Sequence, residues 1–218
     1  ASISHELRTP LTYIKGYADI IKKQDITEEE RKEYLDIIRE ETEHLTVLVK
    51  NLFDLARMDE NKFVINRKNV NFRQLIQTIE ERIAPVLEEK NITFSASCPV
   101  NIIGNIDPDR IQQVLLNILD NARKHTPEGK SISLEVTQND REITITISDE
   151  GEGIPKEELP YIFERLYRVE KSRSRESGGT GLGLAIAKEI IESHGGTIEI
   201  ESELGKGTRV IIQLARGE

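Results

Sequence analysis

Apolar residues in the first stretch of the chain, Ile3, Leu7, Ile14, Tyr17 and Ile21, recur at helical spacing, which predicts one amphipathic helix over residues 1–23. Pro10 falls inside it. A proline there removes a helical hydrogen bond and crowds the carbonyl four residues earlier, at a cost of about 3 kcal/mol. Its presence asks for a compensating role. "KQDIT" reads as a turn, and "TEEE" restarts a helix with Thr27 as N-cap and Glu30 closing a capping box. This second helix is expected to reach about Met58. Its apolar residues Tyr34, Ile38, Leu45, Leu48, Leu52 and Leu55 fall at heptad-like intervals, interrupted by Glu41. Two such helices cannot bury both stripes against each other alone. A four-helix bundle made by two chains does so at low cost, which predicts a homodimer.

"DENKFVINRKNV" is polar and breaks the period, so a hinge or short strand is expected there. Beyond it the pattern predicts a helix over 72–90, bent by Pro85, and two short strands, "ITFSAS" and "NIIGNI". A strongly apolar helix follows, "PDRIQQVLLNILDNARKHT", with Pro108 at a favourable first-turn position. "KSISLEVT" and "REITITISD" alternate apolar and polar residues around the turn "QND", a hairpin signature. A helix over 181–194 and two strands, "GGTIEIES" and "TRVIIQL", joined by "ELGKG", complete the chain. The fold class expected is α+β: an antiparallel helical hairpin that forms a dimeric four-helix bundle, then an α/β sandwich with helices on one face of a largely antiparallel sheet.

Composition narrows the chemistry. The 218 residues carry a net charge of −9, with 32% charged and 37% apolar residues. An acidic balance argues against nucleic acid as a partner. A single cysteine, Cys98, rules out an internal disulfide and fits a reducing compartment. No apolar run approaches the ~18–20 residues that span a bilayer, so no membrane contact is expected from this segment. The chain does not begin with Met and its first helix starts just before His5, so it is expected to be a piece of a longer protein whose membrane segment lies outside it.

Two glycine-rich stretches, "DEGEGIP" (149–155) and "GGTGLGLAI" (178–186), stand out. Neither is a Walker loop, and no strand leads into the second as a dinucleotide fingerprint requires. Gly181, Leu182 and Gly183 open a helix, whose N–H groups and dipole favour an anion such as phosphate. Upstream, "RLYRVEKSRSR" brings Arg165, Arg168, Lys171, Arg173 and Arg175 against the single acid Glu170, a composition suited to a lid over a triphosphate. Asp149 ends a strand, where its carboxylate can accept from an exocyclic amine and favour adenine over guanine. Asn117 and Asn121, at i and i+4, share one face of an apolar helix. Amide oxygens are hard ligands that suit Mg²⁺. Lys124, one turn on, can reach a phosphate. Ordinary turn glycines, a solvated charge run and amides bonded to neighbouring loops are the plainer readings of each feature alone.

In this order the features resemble the sensor histidine kinases of two-component systems. "SHELRTPL" resembles that family's H box, "NILDNARKHT" its N box and "DEGEG" its first glycine box. "FERLYR" resembles the F box, "GTGLGLAI" the second glycine box and "ESELGKGT" the glycine turn before the last strand. The resemblance covers essentially the whole chain. It implies a dimerisation and histidine-phosphotransfer hairpin over 1–60, a linker over 61–70 and a Bergerat-type catalytic ATP-binding domain over 71–218. It implies ATP and Mg²⁺ as cofactors, with Asn121 as metal ligand and Asn117 close by. His5 would take the γ-phosphoryl group and pass it to an aspartate of a response regulator receiver domain, with Glu6 as base or orienter. The nucleotide would be held by Asn117, Asn121, Lys124 and His125, by Asp149, Gly151 and Gly153, and by Tyr167 and Arg168. The second glycine box would add Gly179, Thr180, Gly181, Leu182, Gly183 and Leu184, and the final turn Thr208. The segment would be the cytoplasmic part of a bacterial inner-membrane sensor. Two positions depart from the family pattern: His125 stands where many members carry Tyr, and Leu166 replaces a common Phe.

A neutral imidazole is a competent nucleophile near pH 7. Glu6 can hold it in one tautomer and stabilise positive charge as the N–P bond forms. In this family a Glu or Asp followed three residues later by Thr or Asn often orients water for dephosphorylating the regulator. Glu6 and Thr9 match, so phosphatase activity is expected too. Pro10 leaves the Glu6 carbonyl without its helical donor, and the local bend would let the helix accept first the ATP domain, then the partner. The alternatives are an ATPase of the gyrase B or mismatch-repair type, disfavoured because Asn117 stands where those enzymes carry a glutamate base, and a non-catalytic ATP-binding dimerisation module.

Overall fold

The computed structural model describes residues 3–22, 26–59, 64–99, 101–169 and 180–216. The chain divides into two compact units, Ala1–Lys62 and Phe63–Glu218. The first is a helical hairpin of α1 (Ile3–Ile21) and α2 (Glu28–Asp59). α1 continues through Pro10, which is buried. The α2 start is fixed reciprocally: Glu30 N–H donates to Thr27 Oγ1 at 3.1 Å, and Thr27 N–H donates to Glu30 Oε2 at 2.8 Å. That bond and the Thr27 hydroxyl hold the Glu30 carboxyl below its usual range. The two helices pack with the Tyr17 and Tyr34 rings 5.3 Å apart.

The second unit is a helix-on-sheet sandwich. Its elements are β1 (Lys68–Asn71), α3 (Phe72–Glu88), β2 (Thr93–Ser97), β3 (Ile103–Ile106), α4 (Pro108–His125), β4 (Ser131–Gln138), β5 (Glu142–Asp149), α5 (Gly183–Ser193), β6 (Thr197–Glu203) and β7 (Gly207–Ala215). A 3-10 turn, Leu159–Tyr161, lies between β5 and α5. Five strands run in the order β2-β4-β5-β7-β6. On β4 and β5 the alternation puts Ile132, Leu134, Val136, Ile143, Ile145 and Ile147 in the core. α4 adds Ile111, Val114, Leu115, Ile118 and Leu119, and α5 adds Ile186, Ile190 and Ile191. Ser133, Glu135 and Thr137 face outward and are exposed.

Two features differ from a single antiparallel sheet. β2 lies parallel to β4, with Thr93 opposite Ser131. β3 leaves the main sheet and pairs antiparallel with β1 in a separate ribbon, Lys68 opposite Ile106. α5 begins at Gly183, two residues later than its expected start, because Gly181 takes a left-handed backbone (φ 66°) that no helix continues. Gly104 lets the ribbon close onto the core, since a Cβ there would sit 2.6 Å from the Phe72 ring.

The far ends of α4 and α5 meet at one buried node. The Asp107 carboxylate caps α4, accepting from Arg110 N–H at 3.1 Å, and also accepts from Asn66 N–H at 2.9 Å. Asp107 N–H donates to His194 Nε2 at 3.0 Å, so the proton sits on Nδ1, which donates to Ile190 O at 2.8 Å. Burial pushes the His194 pKa below its ordinary value, outweighing the Ile190 carbonyl and the Asp107 charge, which raise it. Below about pH 6.5 the unfolded chain therefore takes up a proton that the folded ring resists, and stability falls as pH drops. The unfolding midpoint of this unit should decline between pH 7.5 and 5.5, and His194→Gln should lower it at pH 7.5 while flattening the decline. An unchanged slope in thermal unfolding would contradict this.

Candidate functional site

In the hairpin, His5 lies in the first turns of α1 and is exposed; Glu6, beside it, is half-buried. Thr9 is one turn on, and its hydroxyl donates back to His5 O at 3.1 Å. Pro10 has no N–H, so the Glu6 carbonyl receives no donor from it.

In the second unit, the last two turns of α4 carry the polar residues. Asn117 and Asn121 flank the buried stripe and are half-buried. The Asn117 amide nitrogen donates to Gly183 O at 3.3 Å, which ties α4 to the start of α5 and leaves the amide oxygen to accept or to ligate. Lys124 Nζ pairs with Asp120 Oδ2 at 2.6 Å, and Arg123 with Asp120 Oδ1 at 2.8 Å. Burial works against ionising Asp120, yet Lys124 and Arg123 prevail and hold its carboxyl below the usual range. His125 Nδ1 meets Glu152 Oε1 at 2.8 Å.

β5 delivers Asp149 to the same end of the unit. Its Oδ1 accepts from Gly151 N–H at 2.8 Å and from Thr208 N–H at 3.2 Å. Burial raises the Asp149 carboxyl above its usual range despite these bonds and the nearby His125. The loop 150–154 fits only as glycines allow. A Cβ on Gly151 would lie 2.6 Å from Asp149 Oδ1 and 2.7 Å from His125 O. Gly153 has φ 72°, and its missing Cβ makes room for the Glu203 carbonyl. Ser202 fastens this loop to β7: its hydroxyl accepts from Ile154 N–H at 2.8 Å, donates to Gly207 O at 2.8 Å and touches Thr208 Oγ1 at 2.9 Å. An open groove of about 510 Å³ runs along Asp149, Ser202, Lys206 and Thr208.

The basic segment begins on the other side. Tyr167 OH donates to Glu158 Oε2, a bond that pushes the phenol up to about 12. The Tyr161 ring lies 5.7 Å away. Leu166 is left-handed (φ 63°), and its N–H donates to Gly181 O at 2.9 Å. A Cβ on Gly181 would meet the Leu166 backbone at 2.9 Å. Arg168, Gly181, Gly183 and Leu184 are half-buried, and Thr180 and Leu182 are buried. The Leu182 side chain makes no cap bond to the first turn of α5, and the Thr180 hydroxyl accepts from Leu182 N–H at 3.4 Å. Gly179, Lys171, Arg173 and Arg175 lie outside the described residues.

The structure thus gathers Asn117, Asn121, Lys124 and His125 on α4, Asp149, Gly151, Gly153 and Thr208 at one sheet end, and residues 180–184 at the α5 start. The residues that hold them, Asp120, Glu152, Glu158 and Ser202, were not singled out from sequence. Asp120 is legible in hindsight, four residues before Lys124. Ser202 and Glu152 act across the fold, and Glu158 reaches Tyr167 nine residues on, none of them at a periodic spacing. Among the described residues no group of three or more His, Cys, Asp or Glu is set to hold a metal.

Comparison with known proteins agrees with this division. Residues 1–61 match the His Kinase A (phospho-acceptor) domain. Residues 106–218 match the family described as histidine kinase-, DNA gyrase B-, and HSP90-like ATPase. The sensor protein SrrB of Staphylococcus aureus is 38% identical over the whole chain, which spans 38% of the length of that relative. Among solved structures, histidine kinase ThkA in complex with response regulator protein TrrA is 26% identical, with a TM-score of 0.79 over 99% of this chain and 60% of that one. Full-length ShkA in complex with AMPPNP is 27% identical, with a TM-score of 0.75 over 98% of this chain and 45% of that one. The chain belongs to the sensor histidine kinases.

Gly153→Ala should cost about 1–3 kcal/mol of stability in the second unit, because the new Cβ meets both a left-handed backbone and the Glu203 carbonyl. Gly129→Ala, also left-handed (φ 78°) but facing open space, should cost less. Equal losses on denaturant unfolding would contradict the steric reading.

Proposed function

We propose that this chain transfers the γ-phosphoryl group of ATP to His5 and then to an aspartate on a response regulator. The observation that carries the reading is the pairing, on one chain, of an exposed imidazole on a helix with a separate site built from an acceptor carboxylate, two amides and an uncapped helix start. Residues 1–60 act as the dimerisation and phosphotransfer hairpin, 61–70 as the linker and 71–218 as the catalytic domain. Leu11, Leu35 and Val47 are exposed apolar residues on the hairpin, which supports a second copy of the chain as their cover.

Asp149 selects adenine. Both of its backbone bonds reach Oδ1, so Oδ2 accepts from the exocyclic amine. His125, oriented by Glu152, lies along the base, and Lys124 and Arg168 contact phosphate oxygens. The first-turn N–H groups of α5 receive the phosphates. Asn117 and Asn121 would hold Mg²⁺, which when bound neutralises phosphate charge. The lone pair of one His5 ring nitrogen attacks the γ-phosphorus, the bond to the β–γ bridging oxygen breaks, and ADP leaves. Glu6 steadies the proton on the other ring nitrogen. The regulator's aspartate then attacks the phosphoramidate and frees the imidazole.

The reading extends to dephosphorylation of the regulator, with Glu6 and Thr9 orienting water. In the resting hairpin the Thr9 hydroxyl donates to His5 O, and its lone pairs stay available to accept from that water. Among the described residues no helix is long and apolar enough to cross a membrane. The matched relatives are longer, and we assign this piece to the cytoplasmic side of a membrane-anchored bacterial sensor.

Incubation with γ-labelled ATP and Mg²⁺ should give acid-labile, base-stable label on the protein, abolished by His5→Gln. Free phosphate without label would instead identify an ATPase, and neither product a binding module. Thr9→Ala should keep the label and slow dephosphorylation of the regulator by about tenfold or more. A Thr9→Ala protein that dephosphorylates at the full rate would remove the phosphatase assignment.

A further inference from the structure

The turn between α3 and β2 lies against the end of α4. Asn91, left-handed at φ 51°, accepts from Gly129 N–H through its carbonyl at 2.9 Å. Its side-chain amide donates to Glu128 Oε1 at 2.6 Å, and Thr93 N–H donates to Lys130 O at 2.9 Å. Lys90 reaches into this seam. Its half-buried ammonium donates to Arg123 O at 2.7 Å, to Thr126 O at 3.1 Å and to Lys124 O at 3.5 Å.

A helix leaves its last carbonyls without intrahelical donors and concentrates partial negative charge on them. Here the end of α4 is clamped from two sides. Lys90 takes the carbonyls of Arg123, Lys124 and Thr126, and Glu152 N–H takes that of His125 at 3.2 Å. No other residue type fits as well: the ammonium is a compact charge with three donors, and three carbonyls converge on it. The clamped turn is the one that carries Lys124 and His125.

We propose that Lys90 is a positioning residue for nucleotide binding, holding the last turn of α4 so that Lys124 and His125 point at the phosphates and the base. The inference rests on the proposed function for what the turn binds, but not for the clamp itself. Without the ammonium the carbonyls turn to water and the last turn frays. Asn117 and Asn121 lie deeper, inside the hydrogen-bonded part of the helix, and keep their direction. Contacts made by Lys124 and His125 in ground and transition states alike are lost together, which raises KM and leaves kcat in place.

The test uses the full chain with Lys90→Met and Lys90→Arg. Lys90→Met should raise the KM for ATP in His5 labelling by about tenfold, with the rate at saturating ATP within about twofold of the parent. Amide hydrogen exchange, measured without nucleotide, should quicken over residues 124–129 and stay unchanged over 114–119. Lys90→Arg, which keeps the charge but not the compact three-donor geometry, should recover only part of both. Parental KM and exchange in Lys90→Met would overturn the proposal. So would a fall in kcat accompanied by faster exchange along all of α4, the mark of general destabilisation. A parent chain that binds no ATP would overturn the nucleotide role together with the proposed function, while the exchange result still decides the clamp.

Discussion

The burial of one stripe of α4 against the sheet is the constraint on which the second unit depends. Ile111, Leu115, Ile118 and Ala122 lie along the centre of that stripe and are buried. Hydrophobic burial of this kind is non-directional, but a helix committed to one face has no rotational freedom left. Asn117 and Asn121 sit at the stripe's edge, and their directions are therefore set by residues that never touch a ligand. The same commitment fixes where the helix ends, and that end needs two separate partners, one from the turn after α3 and one from the loop after β5.

What was legible in the sequence follows from how local the cause is. The capping box at Thr27 and Glu30 and the shared face of Asn117 and Asn121 are short-range patterns. The β4–β5 hairpin announces itself by alternation and a turn. The parallel partnership of β2 with β4 and the β1–β3 ribbon do not, because period-two patterns name a face and never a neighbour. At the site, Gly151 and Gly153 stand out in the sequence, but what packs against them does not. The Glu203 carbonyl arrives from a turn fifty residues away. Ser202 carries no signal in the sequence; only the fold reveals that its hydroxyl ties the 150–154 loop to β7.

Proline and threonine in the hairpin carry opposite lessons. Pro10 is the residue that looked misplaced, and α1 runs through it unbroken. The missing N–H leaves the carbonyl of Glu6 dependent on other partners, next to the imidazole. Thr9 matched a pattern for orienting water, whereas its hydroxyl folds back onto the His5 carbonyl. A role for that hydroxyl toward water thus falls to its lone pairs, since its proton is committed to the helix.

The strand order holds a consequence for how the protein is made. β7, the last element, lies between β5 and β6, so β6 has no neighbour in the sheet until the final strand arrives. During synthesis the sheet has to wait, half-zipped, with β5 offering an unsatisfied edge, until β7 has emerged. Removing β7 would leave β5 and β6 each without a partner on that side, a sticky and incomplete unit rather than a slightly smaller one.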